Sequence, residues 1–200
     1  MSVQNVKNDP IIIGLTGGIA SGKSTASAYF AKLNIPLIDS DLIVKNLWEN
    51  NQEMITKVES FFGLSIKTYE DRKNLGHLIF HDQEKREALN QKVHPYVFDK
   101  IEKLKKTYQD HQAIVIDMPL LIETGYQELC DYVLVVYVNL ETQIKRLMSR
   151  DLITKDEALT RIHSQLLLEE KIKHADLILD NNQEREDLYQ QIDTFLRGIL

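Results

Sequence analysis

Five short runs of apolar residues without polar alternation predict five β-strands. They are Ile11–Leu15, Pro36–Asp39, Ala113–Asp117, Tyr132–Val138 and Leu177–Asp180. Strands that helices cover on both faces have this composition, because neither side of such a sheet meets water. The pattern therefore predicts a parallel sheet in an α/β domain.

A long region without any strand pattern separates the second predicted strand from the third. Its apolar spacing predicts helices at residues 42–48, 53–62, 72–80 and about 84–108. His94-Pro95 is expected to interrupt the longest of them. This is more chain than a simple crossover needs, so the region predicts a helical lobe. Further helices are expected at 25–33, within 146–170 and at 184–200.

Composition and charge narrow the class of protein. The 200 residues are 43% hydrophobic, which is enough for a sizeable core. The net charge of −6 argues against a surface for nucleic acid or anionic membranes. Cys130 is the only cysteine, so no internal disulfide is possible. With no secretory pattern and no membrane-length apolar run, the protein is expected to be cytoplasmic.

The segment Gly17–Ser24 carries the strongest chemical signal. It reads Gly-Gly-Ile-Ala-Ser-Gly-Lys-Ser and fits the phosphate-binding loop, or P-loop, between a strand and a helix. Gly17 and Gly22 permit backbone angles that a Cβ would penalise, so successive N–H groups can surround an anion. Lys23 supplies a mobile positive charge for the outer phosphates, and Ser24 supplies a hydroxyl for Mg²⁺. The motif predicts a nucleotide-binding protein.

Carboxylates at the ends of two predicted strands are candidates for catalysis and metal binding. Phosphoryl transfer needs metal ligands and a carboxylate that orients the acceptor. Asp39 and Asp41 follow the second strand, where α/β sheets bind ligands. Asp41 is a candidate general base or the N-cap of the next helix. Asp39 is a candidate metal or water organiser, in competition with Asp117, whose alternative role is to accept hydrogen bonds in a turn.

Three arginines and two histidines complete the candidates. Arg146, Arg150 and Arg161 could close over phosphates as parts of a lid. The alternative is ion pairing with neighbouring carboxylates on the surface. His77 and His81 have a zinc-compatible spacing, but without a further matched ligand they predict no zinc site.

From about Ile11 to the C-terminus, the chain resembles the dephospho-coenzyme A kinase family. The blocks that carry the resemblance are, in chain order, Gly14–Thr25, Asp39–Asp41, Asp71-Arg72 with Leu75 and Phe80, His94-Pro95, Pro119–Glu123, Arg146 and Arg150 with Arg161 and Gln165, and Ala175-Asp176 with Asp180-Asn181. Pro119–Glu123, with His94-Pro95 upstream, is more specific than the P-loop. Ala20 stands where the family often has glycine, and Lys45 where arginine is usual.

The resemblance implies a fold, a division of the chain and a reaction. The fold is a P-loop kinase with a five-stranded parallel core, a helical substrate lobe and a helical lid. The reaction moves the γ-phosphate of ATP to the 3′-hydroxyl of the dephospho-CoA ribose, the last step of coenzyme A synthesis. The expected segments are an N-terminal extension (1–9), a nucleotide-binding core (10–41, 111–145 and 175–200), a coenzyme A lobe (42–110) and a lid (146–174).

The resemblance also implies roles for individual residues. Asp41, Lys23 and Arg150 are the expected catalytic residues. ATP is expected at Gly18, Ala20, Ser21, Gly22, Lys23, Ser24, Thr25, Arg146, Arg161 and Asn181. Dephospho-CoA is expected at Asp39, Asp41, His94, Pro119, Leu120 and Glu123. Mg²⁺ is expected at Ser24 and Asp39, and the protein is expected to be a monomer or small homo-oligomer.

A catalytically inactive nucleotide-binding scaffold is disfavoured, because Lys23 and the paired aspartates are all present. Two other functions stay open at the level of sequence. One is another small-molecule P-loop kinase, of nucleoside or shikimate type, which the paired aspartates alone would permit. The other is a GTPase switch, a regulatory binding module. A GTPase should carry Asn-Lys-x-Asp and Asp-x-x-Gly elements, and the sequence contains neither.

Overall fold

The computed structural model describes residues 9–80 and 82–200. The expected N-terminal extension, apart from Asp9, and His81 of the histidine pair therefore lie outside the described residues. The chain forms two compact units. One contains the residues up to Asp39 together with Thr107–Leu200, and the other contains Ser40–Lys106.

The first unit is built on a five-stranded sheet in which every pairing is parallel. The strands are β1 (Ile11–Gly17), β2 (Leu37–Asp39), β3 (Ala113–Asp117), β4 (Tyr132–Tyr137) and β5 (Leu177–Asp180), in the spatial order β2-β3-β1-β4-β5. The predicted parallel α/β sheet is confirmed. β3 and β5 have the predicted bounds, whereas β1 continues to Gly17, into the P-loop motif.

Nine α-helices lie within the described residues. They are α1 (Lys23–Lys32), α2 (Ser40–Asn50), α3 (Gln52–Phe62), α4 (Tyr69–Phe80), α5 (Gln83–Thr107), α6 (Leu140–Asp151), α7 (Lys155–His163), α8 (Leu168–Lys171) and α9 (Arg185–Ile199). Short 3₁₀ turns occur at Tyr126–Leu129 and Ile172–His174. In this described part of the chain, no helix has both the length and the apolar character that a membrane span requires.

The core of the first unit lies between the sheet and helices α1 and α9. Phe30 of α1 and Leu188 and Ile192 of α9 are completely buried in the same cluster as Ile13 and Leu15 of β1. Burial of one such side chain contributes about 1.5–3 kcal/mol. The apolar runs of the sequence therefore form strands here because both faces of the sheet exclude water.

The register of the strands brings functional positions to one edge of the sheet. Asp39 at the end of β2 is the direct partner of Asp117 at the end of β3, and Asp117 is the partner of Leu15 in β1. The P-loop leaves β1 just beyond this point. Ligands bind open α/β sheets at this carboxyl edge, so the fold places the phosphate loop beside two carboxylate positions.

The second unit consists of helices α2 to α5. Leu89, Val93, Val97 and Ile101 form one buried stripe along α5, at the spacing that an amphipathic helix requires. The expected interruption at His94-Pro95 is wrong, because α5 is helical throughout with Pro95 in its interior.

A methyl group added at Gly14 tests the packing of the central strand. A Cβ built there would lie 2.7 Å from Cδ2 of Leu121 and 2.8 Å from Sγ of Cys130. Gly14→Ala is expected to lower the free energy of unfolding by about 1–2 kcal/mol, because these neighbours must move. Urea denaturation measures this change.

Gly76→Ala is the matched control. Gly76 lies inside α4, and a Cβ there would meet no heavy atom of the described residues within 4 Å. Alanine favours the helix, so this variant should gain about 0.5–1 kcal/mol. A Gly14→Ala protein as stable as the wild type would contradict the described packing.

Candidate active site

The P-loop connects the end of β1 to the start of α1. Gly22 immediately precedes α1 and has φ +95°, a conformation that glycine adopts without steric cost. Gly17 has no positive φ, so the expectation that it needs unusual backbone angles is wrong. Glycine is favoured at this position because there is no space for a side chain: a Cβ at Gly17 would lie 2.5 Å from Oγ of Ser21. The start of α1 directs the positive end of its dipole into this loop.

Ala20 adopts a conformation that usually belongs to glycine. Its φ is +59°, in the left-handed region that costs an ordinary residue about 1–2 kcal/mol. The resemblance implies glycine at this position, which agrees with the positive φ, although this chain carries a methyl group here.

A pocket of about 440 Å³ opens above this loop. Its lining combines the loop and the start of α1 with the ends of α6 and β5 and with the start of α9. The lining residues are Ala20, Gly22, Ser24, Thr25, Arg146, Arg150, Asn181, Gln183 and Arg185. Three guanidinium groups beside a helix N-terminus suit a polyphosphate. The structure therefore brings together, around one cavity that suits an anion, seven of the residues that were predicted for ATP binding or catalysis.

Sequence reasoning missed Gln183 and Arg185. They precede and begin α9, directly after β5. The available signal was their position, because loops that follow parallel strands line ligand sites. The family resemblance placed Asn181 of this loop at ATP, but nothing in the sequence extended that expectation to Gln183 or Arg185.

Asp117 holds the P-loop lysine. Its Oδ1 accepts a hydrogen bond from Nζ of Lys23, and its Oδ2 accepts one from Oγ of Ser27 at 2.5 Å. The side chain of Asp117 is only 6% exposed. The carboxylate therefore holds the lysine ammonium beside the start of α1. The alternative role for Asp117 was to accept hydrogen bonds within the turn before Pro119. Its side chain instead accepts them from two residues of α1.

Asp39 and Ser24 provide oxygen ligands of the kind that Mg²⁺ prefers. Ser24 is the second residue of α1 and lines the pocket. Asp39 is partly exposed at the end of β2, in register with Asp117. The donor set fits a hard divalent cation, with hydroxyl and carboxylate oxygens at the same edge of the sheet.

Asp151 is the shared partner of two of the three candidate arginines. Arg150 donates to its two oxygens at 2.7 and 3.1 Å, and Arg161 donates at 2.6 Å. The hydrogen bonds from Arg150, supported by the charge of Arg161, lower the pKa of Asp151. Ion pairing of these arginines is therefore confirmed as a feature of the structure.

Arg146 contacts backbone oxygens instead. It donates to the carbonyl of Asn181 at 3.0 Å and to that of Ser21 at 3.5 Å. Asn181 itself is buried, with 7% exposure, and its Nδ2 donates to the carbonyl of Ser21 at 2.8 Å. These contacts join α6 and the end of β5 to the P-loop.

A buried lysine that the sequence did not reveal organises the turn after β3. Lys171 of α8 has a side chain with 0% exposure and donates to the carbonyl of Pro119 at 2.6 Å. The same carbonyl accepts from Oγ1 of Thr16 at 3.0 Å. Burial lowers the pKa of the Lys171 ammonium, while Glu123 acts in the opposite direction.

Glu123 completes this network. Its oxygens lie 2.9 and 3.0 Å from Nζ of Lys171, and Oε1 also accepts from the N–H of Leu166 at 3.1 Å. Leu120, which begins the same turn, accepts from the N–H of Thr124 at 3.0 Å. The contacts of Glu123 connect the turn after β3 to the segment between α7 and α8. No signal in a single sequence pairs residues this far apart.

The second unit carries Asp41 and His94. Asp41 is exposed in the first turn of α2. It lies inside the helix, so the alternative that Asp41 is the N-cap of α2 is wrong. A carboxylate there is favoured by the helix dipole. His94 is partly buried in α5 and stacks on Phe98, with ring centroids 5.7 Å apart. Burial lowers the pKa of His94 and so favours its neutral form.

Glu123→Leu tests whether the buried lysine depends on its counter-charge. The variant leaves an ammonium with 0% exposure without its carboxylate. A loss of about 3–5 kcal/mol in the free energy of unfolding is expected. Lys171→Met should cost less, because the Glu123 side chain is 23% exposed and can still be hydrated. Urea denaturation of both variants gives the comparison.

Glu128→Leu is the control, since Glu128 is an exposed residue of the nearby 3₁₀ turn. It should change stability by less than about 0.5 kcal/mol. The double variant Glu123→Leu/Lys171→Met should recover much of the loss, since it leaves no unpaired charge. Equal stability of Glu123→Leu and Glu128→Leu would contradict this role of the ion pair.

Comparisons with known proteins identify the family of this chain. The family model for dephospho-CoA kinase matches residues 11–187. The dephospho-CoA kinase of Bacillus cereus (strain ZK / E33L) is 44% identical over 177 residues, covering 86% of this chain and 88% of that protein.

Solved structures show the same fold. The crystal structure of TT1252 from Thermus thermophilus has a TM-score of 0.80 at 31% identity, covering 96% of this chain and 100% of that one. Dephospho-CoA kinase from Campylobacter jejuni has a TM-score of 0.67 at 33% identity, covering 94% and 96%. With its P-loop, arginine-lined pocket and sequence similarity over most of its length, the chain belongs to the dephospho-CoA kinase family.

Proposed function

We propose that the protein transfers the γ-phosphate of ATP to the 3′-hydroxyl of dephospho-CoA and releases coenzyme A and ADP. The observation that carries the proposal is the arginine-lined pocket on the P-loop, in a chain of this family. A nucleoside or shikimate kinase would share the loop, but the family match over residues 11–187 favours dephospho-CoA as the acceptor. A GTPase switch has no support from the family match.

The phosphate end of ATP is assigned to the first unit. The N–H groups of Gly18 to Thr25 and the ammonium of Lys23 hold the β- and γ-phosphates. Lys23 is paired with Asp117 in the structure, and this contact holds its side chain beside the start of α1. Arg146 lines the same pocket and adds positive charge near the phosphates.

Asp41 is assigned as the general base. It follows Asp39, the last residue of β2, after a single intervening residue, Ser40. The 3′-oxygen attacks the γ-phosphorus, the bond from that phosphorus to the β–γ bridging oxygen breaks, and ADP leaves with the electron pair. The proton of the 3′-hydroxyl passes to the carboxylate of Asp41. Exposure of this carboxylate supports a role in contact with substrate.

Mg²⁺ fits the oxygen donors of Ser24 and Asp39, with Asp117 as the competing carboxylate. When bound, the cation neutralises charge on the triphosphate. Asp117 also accepts hydrogen bonds from Lys23 and Ser27, and both carboxylates lie at the ends of paired strands.

Arg150 is assigned to the charge that develops during transfer. It lines the pocket while pairing with Asp151 on its other side. A phosphate oxygen can replace Asp151 as its partner, because a guanidinium binds either anion with two donors. Arg161, which shares Asp151, is the second candidate for such an exchange.

The remaining substrate residues keep their predicted roles as proposals. His94 supplies a neutral, partly buried ring for dephospho-CoA. Pro119, Leu120 and Glu123 shape the turn after β3, and the contacts of Glu123 with Lys171 and Leu166 favour an indirect role for it. A cytoplasmic location and a monomer or small homo-oligomer remain the predictions of the sequence.

Identification of the product tests the proposed reaction. The purified protein is incubated with ATP, MgCl₂ and dephospho-CoA, and the products are analysed by mass spectrometry. Coenzyme A and ADP should form in equal amounts. A panel of nucleosides and shikimate serves as the comparison. Turnover of one of these without turnover of dephospho-CoA would overturn the assignment.

Asp41→Asn should separate binding from chemistry. The amide keeps the size of the side chain but cannot take the proton of the 3′-hydroxyl. Turnover should fall by about 10²-fold or more, while the dissociation constant for ATP should stay nearly unchanged. Steady-state kinetics and calorimetric titration measure the two quantities.

Asp99→Asn is the matched control, because Asp99 is an exposed residue of α5 that pairs with Lys103 at 2.6 Å. Its turnover should equal that of the wild type. Full turnover of Asp41→Asn would remove Asp41 from the role of base.

A further inference from the structure

Two buried amide side chains donate hydrogen bonds to carbonyl groups of the P-loop. Nδ2 of Asn181 lies 2.8 Å from the carbonyl oxygen of Ser21, and Nε2 of Gln143 lies 2.7 Å from that of Ile19. The exposures of Asn181 and Gln143 are 7% and 4%. The donors come from different elements, since Asn181 follows β5 and Gln143 belongs to α6. Two separate parts of the fold therefore bind the loop.

The loop has glycine where these amides approach. A Cβ on Gly22 would lie 2.0 Å from Nδ2 of Asn181, and a Cβ on Gly18 would lie 2.7 Å from Nε2 of Gln143. No larger residue fits at Gly22 without moving the Asn181 amide. The glycines therefore make room for the amide side chains as well as for a bound anion.

Asn181 is itself held in place on both sides. Its N–H donates to the carbonyl of Tyr137 at 2.8 Å, at the end of β4. Its own carbonyl accepts from Arg146 at 3.0 Å. The position of its side chain is thus set by the sheet and by α6.

The planarity of the peptide group gives these contacts a consequence. In a trans peptide the C=O and the following N–H point in opposite directions. A donor that holds the carbonyl of Ser21 therefore fixes the direction of the Gly22 N–H. In the same way, Gln143 fixes the N–H of Ala20 through the carbonyl of Ile19. An anion-binding loop needs its N–H groups turned toward the anion.

We propose that Asn181 and Gln143 are positioning residues that orient the Gly22 and Ala20 N–H groups for the phosphates of ATP. This inference rests on the proposed function. It differs from the expectation that Asn181 contacts ATP directly, since such a contact could be made to the adenine base. A positioning residue acts on any ligand that carries the phosphate chain, whereas a base contact acts only on ligands that carry the base.

Inorganic tripolyphosphate separates the two roles, because it has the phosphate chain of ATP without adenine or ribose. Calorimetric titration in the presence of MgCl₂ gives dissociation constants for ATP and for tripolyphosphate. Asn181→Ala should weaken both ligands by a similar factor of about tenfold, as expected for the loss of one buried hydrogen bond. The ratio of the dissociation constants for ATP and GTP, measured in the same way, should not change.

Asn51→Ala is the matched control. Asn51 caps α3 in the second unit and accepts a hydrogen bond from the N–H of Met54 at 2.9 Å. This variant should lower the melting temperature without changing either dissociation constant. It therefore separates a general loss of stability from misorientation of the loop. Gln143→Ala, in α6, should weaken both ligands in the same way as Asn181→Ala. It provides the test if Asn181→Ala does not fold.

Each other outcome counts against the inference. Weaker ATP binding with unchanged tripolyphosphate binding would make Asn181 a base contact. Unchanged affinity for both ligands would mean that the loop keeps its orientation without the amides. A wild-type protein that binds neither ligand would contradict the proposed function and this inference with it, whereas the first two outcomes leave that function intact.

Discussion

The N–H groups of the P-loop that bind phosphate must face the anion, and contacts within the first unit hold the loop in place for that purpose. The loop starts at the end of the central strand, which is hydrogen-bonded on both sides, and ends at the first turn of α1. Gly22 and Ala20 both have positive φ. For Ala20, which is not a glycine, such a conformation persists only where its surroundings determine it, and here the amides of Asn181 and Gln143 and the guanidinium of Arg146 supply contacts to loop carbonyls.

Positive charge around this loop is held in place by carboxylates. Asp117 pairs with Lys23, Asp151 with two arginines, and Glu123 with the buried Lys171. Cations that repel one another are thereby kept close together before any anionic ligand binds. The proposed chemistry then needs only an exchange of partners at the exposed arginines, while Lys171 remains part of the framework.

The sheet could be predicted because its strands are continuous apolar runs, and Ala113–Asp117 and Leu177–Asp180 have the bounds that the sequence indicates. The P-loop could be predicted because its glycine and lysine spacing is local. Contacts between distant segments could not be predicted from the sequence. Nothing in the sequence pairs Lys171 with Glu123, or Asn181 with Ser21, since each is fixed by the strand order. The predicted interruption of α5 at Pro95 was wrong, because packing of the helix overrides the tendency of proline to break a helix.

Backbone amide signals of the P-loop test the central claim most directly. A nitrogen–proton correlation spectrum of isotope-labelled protein is recorded while ATP is added in the presence of MgCl₂. The account predicts that the largest shifts occur at the N–H groups between Gly18 and Thr25. Saturating ATP that shifts signals elsewhere and leaves those N–H groups unchanged would contradict it.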